Sequence, residues 1–134
     1  MLLIYRYLTN IFFPIIVIII FFRRWLNKEH QIRFKEKLFS SEFNVQKDHG
    51  KKLVWLHAAS IGELKSIIPL INRLNEINKL EFLITTTTLS SSNLISEELL
   101  NRKNITHRFF PIDKLSLVKK FLDNWSPSLV IFVE

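Results

Sequence analysis

The chain has 134 residues, enough for one domain with one hydrophobic core. Apolar residues make up 48% of it and its formal net charge is +7, which favours acidic partners: an anionic membrane face, a phosphorylated substrate or nucleic acid. The sequence contains no cysteine, which excludes disulfides, thiol catalysis and cysteine-ligated zinc.

Residues 1–24 are predicted to form a membrane anchor helix. The first 22 residues carry one charge, Arg6, and 11–22 is an unbroken apolar run. With its upstream neighbours this run approaches the roughly 20 residues that cross a bilayer. A cleaved signal peptide is the main alternative, but Arg23 and Arg24 follow the apolar run where a small-residue cleavage site would stand. The sequence leaves open whether the segment spans the membrane or lies in its interface.

Residues 25–51 are predicted to form a basic amphipathic helix over 25–40 and then a polar linker over 41–51. Trp25, Leu26, Ile32 and Phe34 would rest on lipid while basic side chains meet headgroup phosphates. A solvated connector without specific contacts is the alternative. Basic residues accumulate just after the apolar segment, and by the positive-inside rule they place the downstream chain in the cytoplasm. They are Arg23, Arg24, Lys28, Arg33, Lys35 and Lys37.

Residues 52–134 are predicted to form an α/β domain with a Rossmann-like parallel sheet of about four strands. An apolar run that begins at Leu53 and further runs at 81–87, 104–110 and 129–133 indicate strands. Helices are expected between them, and this alternation implies parallel βαβ units. The first helix has an apolar face at helical spacing, and Pro69 should kink it or remove one hydrogen bond. That face comprises Leu64, Ile67, Ile68, Ile71 and Leu74.

Two further features of this domain concern its last helix and its last strand. Asp113 follows Pro111 and is a suitable N-cap for a helix whose apolar face would be Leu115, Val118, Phe121 and Leu122. The chain stops at Glu134, directly after a fully apolar strand that would need covering neighbours. This indicates the amino-terminal part of a longer protein or a truncated gene product.

Glu63 is the first residue to weigh for chemistry, because it lies in the turn between the first strand and the first helix. In open α/β sheets, ligands bind at the carboxyl ends of strands. The spacing Ser60-x-x-Glu63 fits a capping box, which needs no function. A carboxylate at a strand end can instead be a general base, beside helix amides that receive an anionic substrate. Spacing alone does not choose between the two interpretations.

No metal or cofactor site is predicted. The four histidines, His30, His49, His57 and His107, lack metal-site spacing. Neither of the two glycines belongs to a nucleotide-binding loop pattern. His57 is expected to be a packed or hydrogen-bonded residue at the end of a strand.

The chain resembles the amino-terminal domain of the 3-deoxy-D-manno-octulosonic acid (Kdo) transferases, which act on lipid A precursors. Similar pieces keep the family's order and approximate spacing over nearly the whole chain. They are the apolar amino terminus followed by arginines, Leu-His-Ala-Ala-Ser-Ile-Gly-Glu at 56–63, Ile-Pro-Leu at 68–70, Ile-Thr-Thr-Thr-Thr at 84–88, Phe-Pro-Ile-Asp at 110–113, Phe-Leu at 121–122, and Pro-Ser-Leu-Val-Ile-Phe-Val-Glu at 127–134.

The resemblance implies a GT-B glycosyltransferase whose amino-terminal domain holds the membrane anchor and the lipid acceptor, while an absent carboxyl-terminal domain holds CMP-Kdo. It implies that Glu63 accepts the proton of the acceptor hydroxyl, that Glu134 assists the transition state, and that the reaction is inverting and needs no metal. Ser60, Gly62, Thr86 and Thr88 are then expected to bind the acceptor. The location implied is the cytoplasmic face of the inner membrane.

Two other functions stay open at this point. The fragment alone is expected to be inactive, so a truncated, non-catalytic membrane-tethered module that binds anionic lipid is the alternative to half of a transferase. A nucleic-acid binder is disfavoured, because the basic residues cluster beside the apolar segment and the globular part lacks evident stacking platforms.

Overall fold

A computed structural model of the protein describes residues 2–39, 50–77 and 79–133. These residues divide into two compact units, and each is described by itself. The first comprises 2–39 and 111–124, and the second comprises 50–77, 79–110 and 125–133. Of the predicted linker over 41–51, all but Gly50 and Lys51 lies outside the described residues.

The second unit is built on a parallel sheet with four strands in the described part of the chain. They are β1 (Lys52–Ala58), β2 (Leu80–Thr86), β3 (Ile105–Phe109) and β4 (Leu129–Val133), arranged in the order β3-β2-β1-β4. Helices α2 (Ile61–Leu74) and α3 (Leu89–Glu98) alternate with the first three strands. Helix α4 (Leu115–Trp125) precedes β4 in the chain and belongs, up to Asn124, to the first unit. Every strand pairing is parallel. The predicted α/β class with a parallel sheet is therefore confirmed.

One face of the sheet forms the main hydrophobic core with α2 and α3. Alternate residues of β1, Val54, Leu56 and Ala58, point to this face because side chains in a strand alternate between the two sides. They pack with the buried stripe of α2, which is Leu64, Ile67 and Ile71, with Ile68 and Leu74 at its margin. The apolar face expected of the first helix is therefore confirmed, and Pro69 lies inside that helix on its exposed side.

The other face of β1 carries Leu53, Trp55 and His57, which are also buried. Strand β1 therefore reads as a nearly continuous apolar run, as expected for a central strand with both faces covered. Strand β4 differs, because it lies at a sheet edge and its side chains Leu129 and Phe132 are about half exposed.

Helix α1 (Leu2–Trp25) dominates the first unit and ends at a defined stop. Asn27 has a positive φ of 56°, and the amides of Asn27 and Lys28 donate to the carbonyls of Arg24 and Arg23 at 3.0 and 2.9 Å. These two nested hydrogen bonds form a Schellman motif, in which a residue in the left-handed conformation, here Asn27, terminates the helix. Helix α1 is long and apolar enough to cross a membrane by length and composition.

The predicted amphipathic helix over 25–40 is wrong. After the stop at Asn27 the chain forms only a short 3₁₀ helix at Arg33–Lys37. Phe34, which was expected to rest on lipid, is instead buried with Leu38 against Ile20 of α1. The left-handed turn breaks the helical periodicity that the sequence suggested.

The expected N-cap of α4 is also wrong. The helix begins at Leu115, and the carbonyl of Lys114 accepts from the amides of Leu117 and Val118 at 2.8 and 3.0 Å, so Lys114 occupies the cap position. The carboxylate of Asp113 instead accepts a hydrogen bond from the Tyr5 hydroxyl of α1. The buried stripe of α4 is Leu117, Phe121 and Trp125, while Leu115 and Leu122 are exposed.

A buried carboxylate fixes the chain between α1 and the 3₁₀ helix. Glu29 is 4% exposed and accepts from Arg23 Nε at 2.9 Å and from Lys37 Nζ at 2.5 Å. Lys37 is itself buried, and its ammonium group forms an ion pair with Glu29. The pair therefore holds the segment after the Schellman turn against the end of α1.

We expect Glu29→Ala to lower the free energy of unfolding by about 3 to 5 kcal/mol, because it removes the buried carboxylate that both the Lys37 ammonium group and Arg23 contact. Urea denaturation followed by circular dichroism measures this. Glu76→Ala is the matched control, because its ion pair with Arg73 is exposed on both sides and such pairs contribute at most about 1 kcal/mol. Equal losses in the two variants would contradict the role given to Glu29.

Candidate active site

The strand order places a topological switch point at the carboxyl end of β1, where open α/β sheets have their ligand-binding crevice. The chain runs from β1 to β2 to β3 on one side, then returns to place β4 on the other side of β1. Open parallel sheets bind their ligands at such a switch point, where the connections on the two sides diverge. The end of β1 pairs with the end of β4, with Ala58 opposite Val133. The turn over 59–63 follows directly after Ala58.

This turn is a complete capping box. Ser60 Oγ accepts from the amide of Glu63 at 3.2 Å, and Glu63 Oε2 accepts from the amides of Ala59 and Ser60 at 2.7 and 3.3 Å. Ser60 Oγ also donates to Glu63 Oε1 at 2.8 Å. The capping interpretation of Ser60-x-x-Glu63 is therefore confirmed, and it fixes the carboxylate above the end of β1.

The same contacts keep Glu63 ionised. The Ser60 hydroxyl, followed by the Ala59 amide, lowers the pKa of Glu63 below its ordinary value of 4.5, because each donates to the charged form. The carboxylate lies at the surface of the turn, so it meets solvent as well as these donors. At neutral pH the group is an anion held in one orientation.

A buried polar group lies directly beneath the turn. Thr85 Oγ accepts from Trp55 Nε1 at 2.8 Å, and His57 Nδ1 contacts the carbonyl and hydroxyl oxygens of Thr85 at 3.1 and 2.9 Å. A carbonyl only accepts, so Nδ1 carries the proton in the neutral ring. Burial lowers the pKa of His57, although the Thr85 contact and the charge of Glu63 oppose that shift.

His57 is also enclosed by aromatic rings. Its ring centroid lies 4.2 Å from that of Phe110 and 5.2 Å from that of Phe132. These contacts and the Thr85 hydrogen bonds confirm that His57 is a packed, hydrogen-bonded residue at the strand end.

The threonines after β2 do not all reach the site. Thr86 is fully buried and its hydroxyl pairs with His107 Nε2 at 2.9 Å, so the structure does not bring this expected acceptor-binding residue to the crevice. Thr88 caps α3, with its hydroxyl 3.2 Å from the amide of Ser91, and it is exposed. The placement of Thr88 leaves its expected role a prediction.

Thr87 is the residue that the sequence-based site omits. Its hydroxyl donates to the carbonyl of Ala59 at 2.9 Å and so ties the end of β2 to the turn that holds Glu63. The run of four threonines made β-propensity the obvious explanation for each of them. The strand register places Ala58 opposite Thr86, so Thr87 comes next to Ala59 and can reach its carbonyl.

Gly62 is exposed at the second position of α2. A Cβ added there would meet only Ser60 Oγ, at 3.9 Å, which is ordinary van der Waals contact. The fold of the turn therefore does not demand glycine. Ser60 and Gly62 both lie beside the Glu63 carboxylate, and their expected contact with an acceptor stays a prediction. Glu134 lies outside the described residues.

Two cavities lie elsewhere, in the first unit beside α1. Their volumes are about 250 and 400 Å³, and Tyr5, Thr9 and Asp113 line both. Glu63 lines neither of these two cavities.

Comparison with known proteins identifies the family. The model of a family described as 3-deoxy-D-manno-octulosonic-acid transferase (kdotransferase) matches residues 32–134. The chain belongs to this family. The matched region includes the whole sheet and the turn that carries Glu63. No solved structure matches the chain.

Curated relatives cover the amino-terminal helix as well. The chain is similar to the 3-deoxy-D-manno-octulosonic acid transferase of Rickettsia bellii, with 35% identity over 97% of this chain and 30% of the relative. It is similar to the probable mitochondrial 3-deoxy-D-manno-octulosonic acid transferase of Arabidopsis thaliana, with 35% identity over 97% of this chain and 28% of the relative. The chain thus spans about 30% of the length of these relatives.

The capping contacts predict how the acidity of Glu63 responds to Ser60. In Ser60→Ala, we expect the pKa of Glu63 to rise towards 4.5 because the largest cause of its lowering is removed. Helix α2 also loses an N-cap, which typically costs about 1 kcal/mol. Carboxyl-carbon NMR titration measures the pKa. Ser66→Ala is the control, because Ser66 donates to the Glu63 carbonyl and not to its carboxylate. An unchanged Glu63 pKa in Ser60→Ala would contradict the assignment.

Burial of His57 predicts a pH dependence of stability. The folded pKa lies below the unfolded value of about 6.5, so only the unfolded chain binds this proton as the pH falls below 6.5. We therefore expect the free energy of unfolding to decrease from pH 6.5 down to the folded pKa of His57, and His57→Gln to reduce that decrease. Urea unfolding at a series of pH values measures it. The same pH dependence in both proteins would refute the expectation.

Proposed function

We propose that this chain is the acceptor-binding part of a glycosyltransferase that transfers Kdo from CMP-Kdo to a lipid A precursor, lipid IVA, in lipopolysaccharide core biosynthesis. Membership of the family supports the transfer of Kdo. The observation that carries the proposal is Glu63, an ionised carboxylate fixed at the carboxyl end of the central strand β1. The rest of the enzyme, in a second Rossmann-like domain, would supply the site for CMP-Kdo.

In the proposed reaction, a sugar hydroxyl of the acceptor attacks the anomeric carbon of Kdo. The new carbon–oxygen bond forms as the bond to the phosphate oxygen of CMP breaks, and CMP leaves with the bonding electrons. This single displacement inverts the configuration of the anomeric carbon. The attacking 6′-hydroxyl of the disaccharide gives its proton to Glu63, so the residue acts as a general base.

The hydrogen bonds of the capping box are compatible with this role. Each carboxylate oxygen has two acceptor positions. Glu63 Oε2 accepts from the Ala59 and Ser60 amides, while Oε1 accepts from the Ser60 hydroxyl and retains one further position. A substrate hydroxyl can therefore donate to Oε1 without breaking the cap. The cap holds the base in place before the substrate arrives, which lowers the entropy cost of the reaction.

Other residues of the turn support the acceptor in this proposal. Ser60 positions Glu63, Gly62 admits close approach to the backbone because it has no side chain, and Thr88 offers a hydroxyl at the start of α3. Thr87 holds the turn through Ala59 and is a positioning residue. Glu134 would assist the transition state from the end of β4. We propose that the reaction uses no metal and no cofactor besides the donor substrate.

The apolar helix α1 and the basic residues that follow it support a place at the membrane. We propose the cytoplasmic face of the inner membrane, where the lipid acceptor and the soluble donor meet. Partners in this proposal are the lipid A precursor, CMP-Kdo and the membrane, with no nucleic acid.

The decisive experiment joins this chain to the remainder of the Rickettsia bellii relative, in place of the segment to which it is similar. We expect this chimera to transfer Kdo from CMP-Kdo to lipid IVA, and Glu63→Gln to lower the rate by about 10²- to 10⁴-fold, the contribution of a positioned general base. Mass spectrometry of the lipid product measures the transfer.

Glu76→Gln is the matched control, because this carboxylate is exposed after α2 and pairs only with Arg73 among the described contacts. It should leave the rate unchanged. Transfer that survives Glu63→Gln would refute the base. A folded chimera that binds lipid IVA vesicles without any transfer would favour the alternative, a non-catalytic module that binds anionic lipid.

A further inference from the structure

One face of α1 packs against the rest of its own unit along nearly its whole length. Near the carboxyl end, Ile20 is buried against Phe34 and Leu38, and Ile16 and Val17 extend this cluster to Ile112. At the middle of the helix, Lys114 Nζ lies 3.9 Å from the ring centroid of Phe13. Near the amino terminus, the Tyr5 hydroxyl donates to Asp113.

The opposite face of α1 is apolar from end to end. At 100° per residue, its members lie within about 60° of the direction pointing away from Phe13, Val17 and Ile20. They are Ile4, Leu8, Ile11, Ile15, Ile18, Ile19, Phe22 and, at the margin, Tyr7 and Trp25, and all are exposed, Ile18 to 68% and Trp25 to 78%. The basic residues Arg6, Arg23 and Arg24 fall on the other half of the helix, on the side that faces the unit.

A spanning orientation conflicts with the contacts on the packed face. Tyr5 lies 18 residues before Arg23, so the two are about 27 Å apart along the axis, close to the full thickness of the hydrocarbon core. If Arg23 stood at one headgroup layer, Phe13 would lie near the bilayer centre and Tyr5 near the far side. Lys114, Asp113 and the non-helical backbone over 112–114 would then enter the hydrocarbon, which is costly for charged groups and for irregular backbone.

We propose that α1 lies in the plane of an anionic bilayer and does not cross it. Its apolar face enters the acyl chains along its whole length, and Arg6, Arg23 and Arg24 lie at the level of the headgroup phosphates. Residues 112–118 remain on the water side of the helix, where their charges are solvated. The 24-residue helix then holds the unit at a fixed depth through many shallow contacts. This placement does not depend on which reaction the protein catalyses.

The first test asks whether Tyr5 and Asp113 stay close together when the protein is bound to a membrane. The sequence has no native cysteine, so introduced cysteines are the only thiols available to a cross-linker. In vesicles of phosphatidylethanolamine and phosphatidylglycerol, we expect Tyr5→Cys combined with Asp113→Cys to be joined within one chain by a short bis-maleimide. Tyr7→Cys with Asp113→Cys is the matched control, because Tyr7 lies at the same level on the outer half of the helix. Loss of the Tyr5 cross-link on bound vesicles, while it forms in detergent, would overturn the proposal.

Depth gives the second test. Nitroxide labels at Ile4→Cys, Ile11→Cys, Ile18→Cys and Trp25→Cys should report similar depths below the headgroups from their accessibility to oxygen and to a nickel chelate. A spanning helix would give the greatest depth near Ile11 and water-exposed ends on opposite sides. That profile, or failure of the protein to bind anionic vesicles, would overturn the proposal. Equally strong binding to neutral vesicles would contradict the proposed contact of Arg6, Arg23 and Arg24 with the headgroup phosphates.

Discussion

The position of β1 in the sheet is the constraint on which the candidate site depends. Because β2 lies on one side of β1 and β4 on the other, the connections that leave these strands diverge above its carboxyl end. Two hydrogen bonds fix the turn there through Ala59, the residue that follows β1. The Glu63 carboxylate accepts from the Ala59 amide, and the Thr87 hydroxyl donates to the Ala59 carbonyl. A sheet with another order would leave the same residues without a shared crevice.

The capping contacts of Glu63 are compatible with the catalytic role proposed for it. A side chain that satisfies two backbone amides at a helix start has few rotamers left to it, and a base gains from that restriction. Cap and base would conflict only if the backbone occupied every acceptor position of the carboxylate. The Ala59 and Ser60 amides both bind Oε2, while Oε1 accepts from the Ser60 hydroxyl and keeps one further acceptor position.

Local patterns predicted the elements of this chain better than its turns. Alternation in 53–58 and the helical spacing from Leu64 to Leu74 fixed β1 and α2, because both patterns follow from which face is buried. The prediction of a helix over 25–40 was wrong because Asn27 adopts a left-handed conformation. That conformation belongs to a single residue, so the spacing of apolar residues does not reveal it. The prediction that Asp113 caps α4 was wrong, because Asp113 instead accepts a hydrogen bond from Tyr5. The two residues are 108 positions apart, so a local sequence pattern does not show this contact.

The same distinction separates what was predictable in the site. Glu63 was found because strand, turn and helix are contiguous around it. The burial of Thr86 under His107 and the bond from Thr87 to Ala59 depend on pairing between strands far apart in sequence. A run of identical residues hides such differences, since alternate members of a strand face opposite sides of the sheet.

The lowered pKa of Glu63 constrains when it would receive a proton. A general base is most effective when its pKa is near the working pH, and the hydrogen bonds from Ser60 and Ala59 move Glu63 away from that value. An alcohol is a far weaker acid than any carboxylic acid, so in the proposed reaction Glu63 would not ionise the acceptor before attack. Once the carbon–oxygen bond begins to form, the attacking oxygen becomes positively charged and its proton becomes strongly acidic. In the proposed transfer, a weak but correctly placed carboxylate would then suffice, and the driving force for the step would come from the departure of the phosphate leaving group.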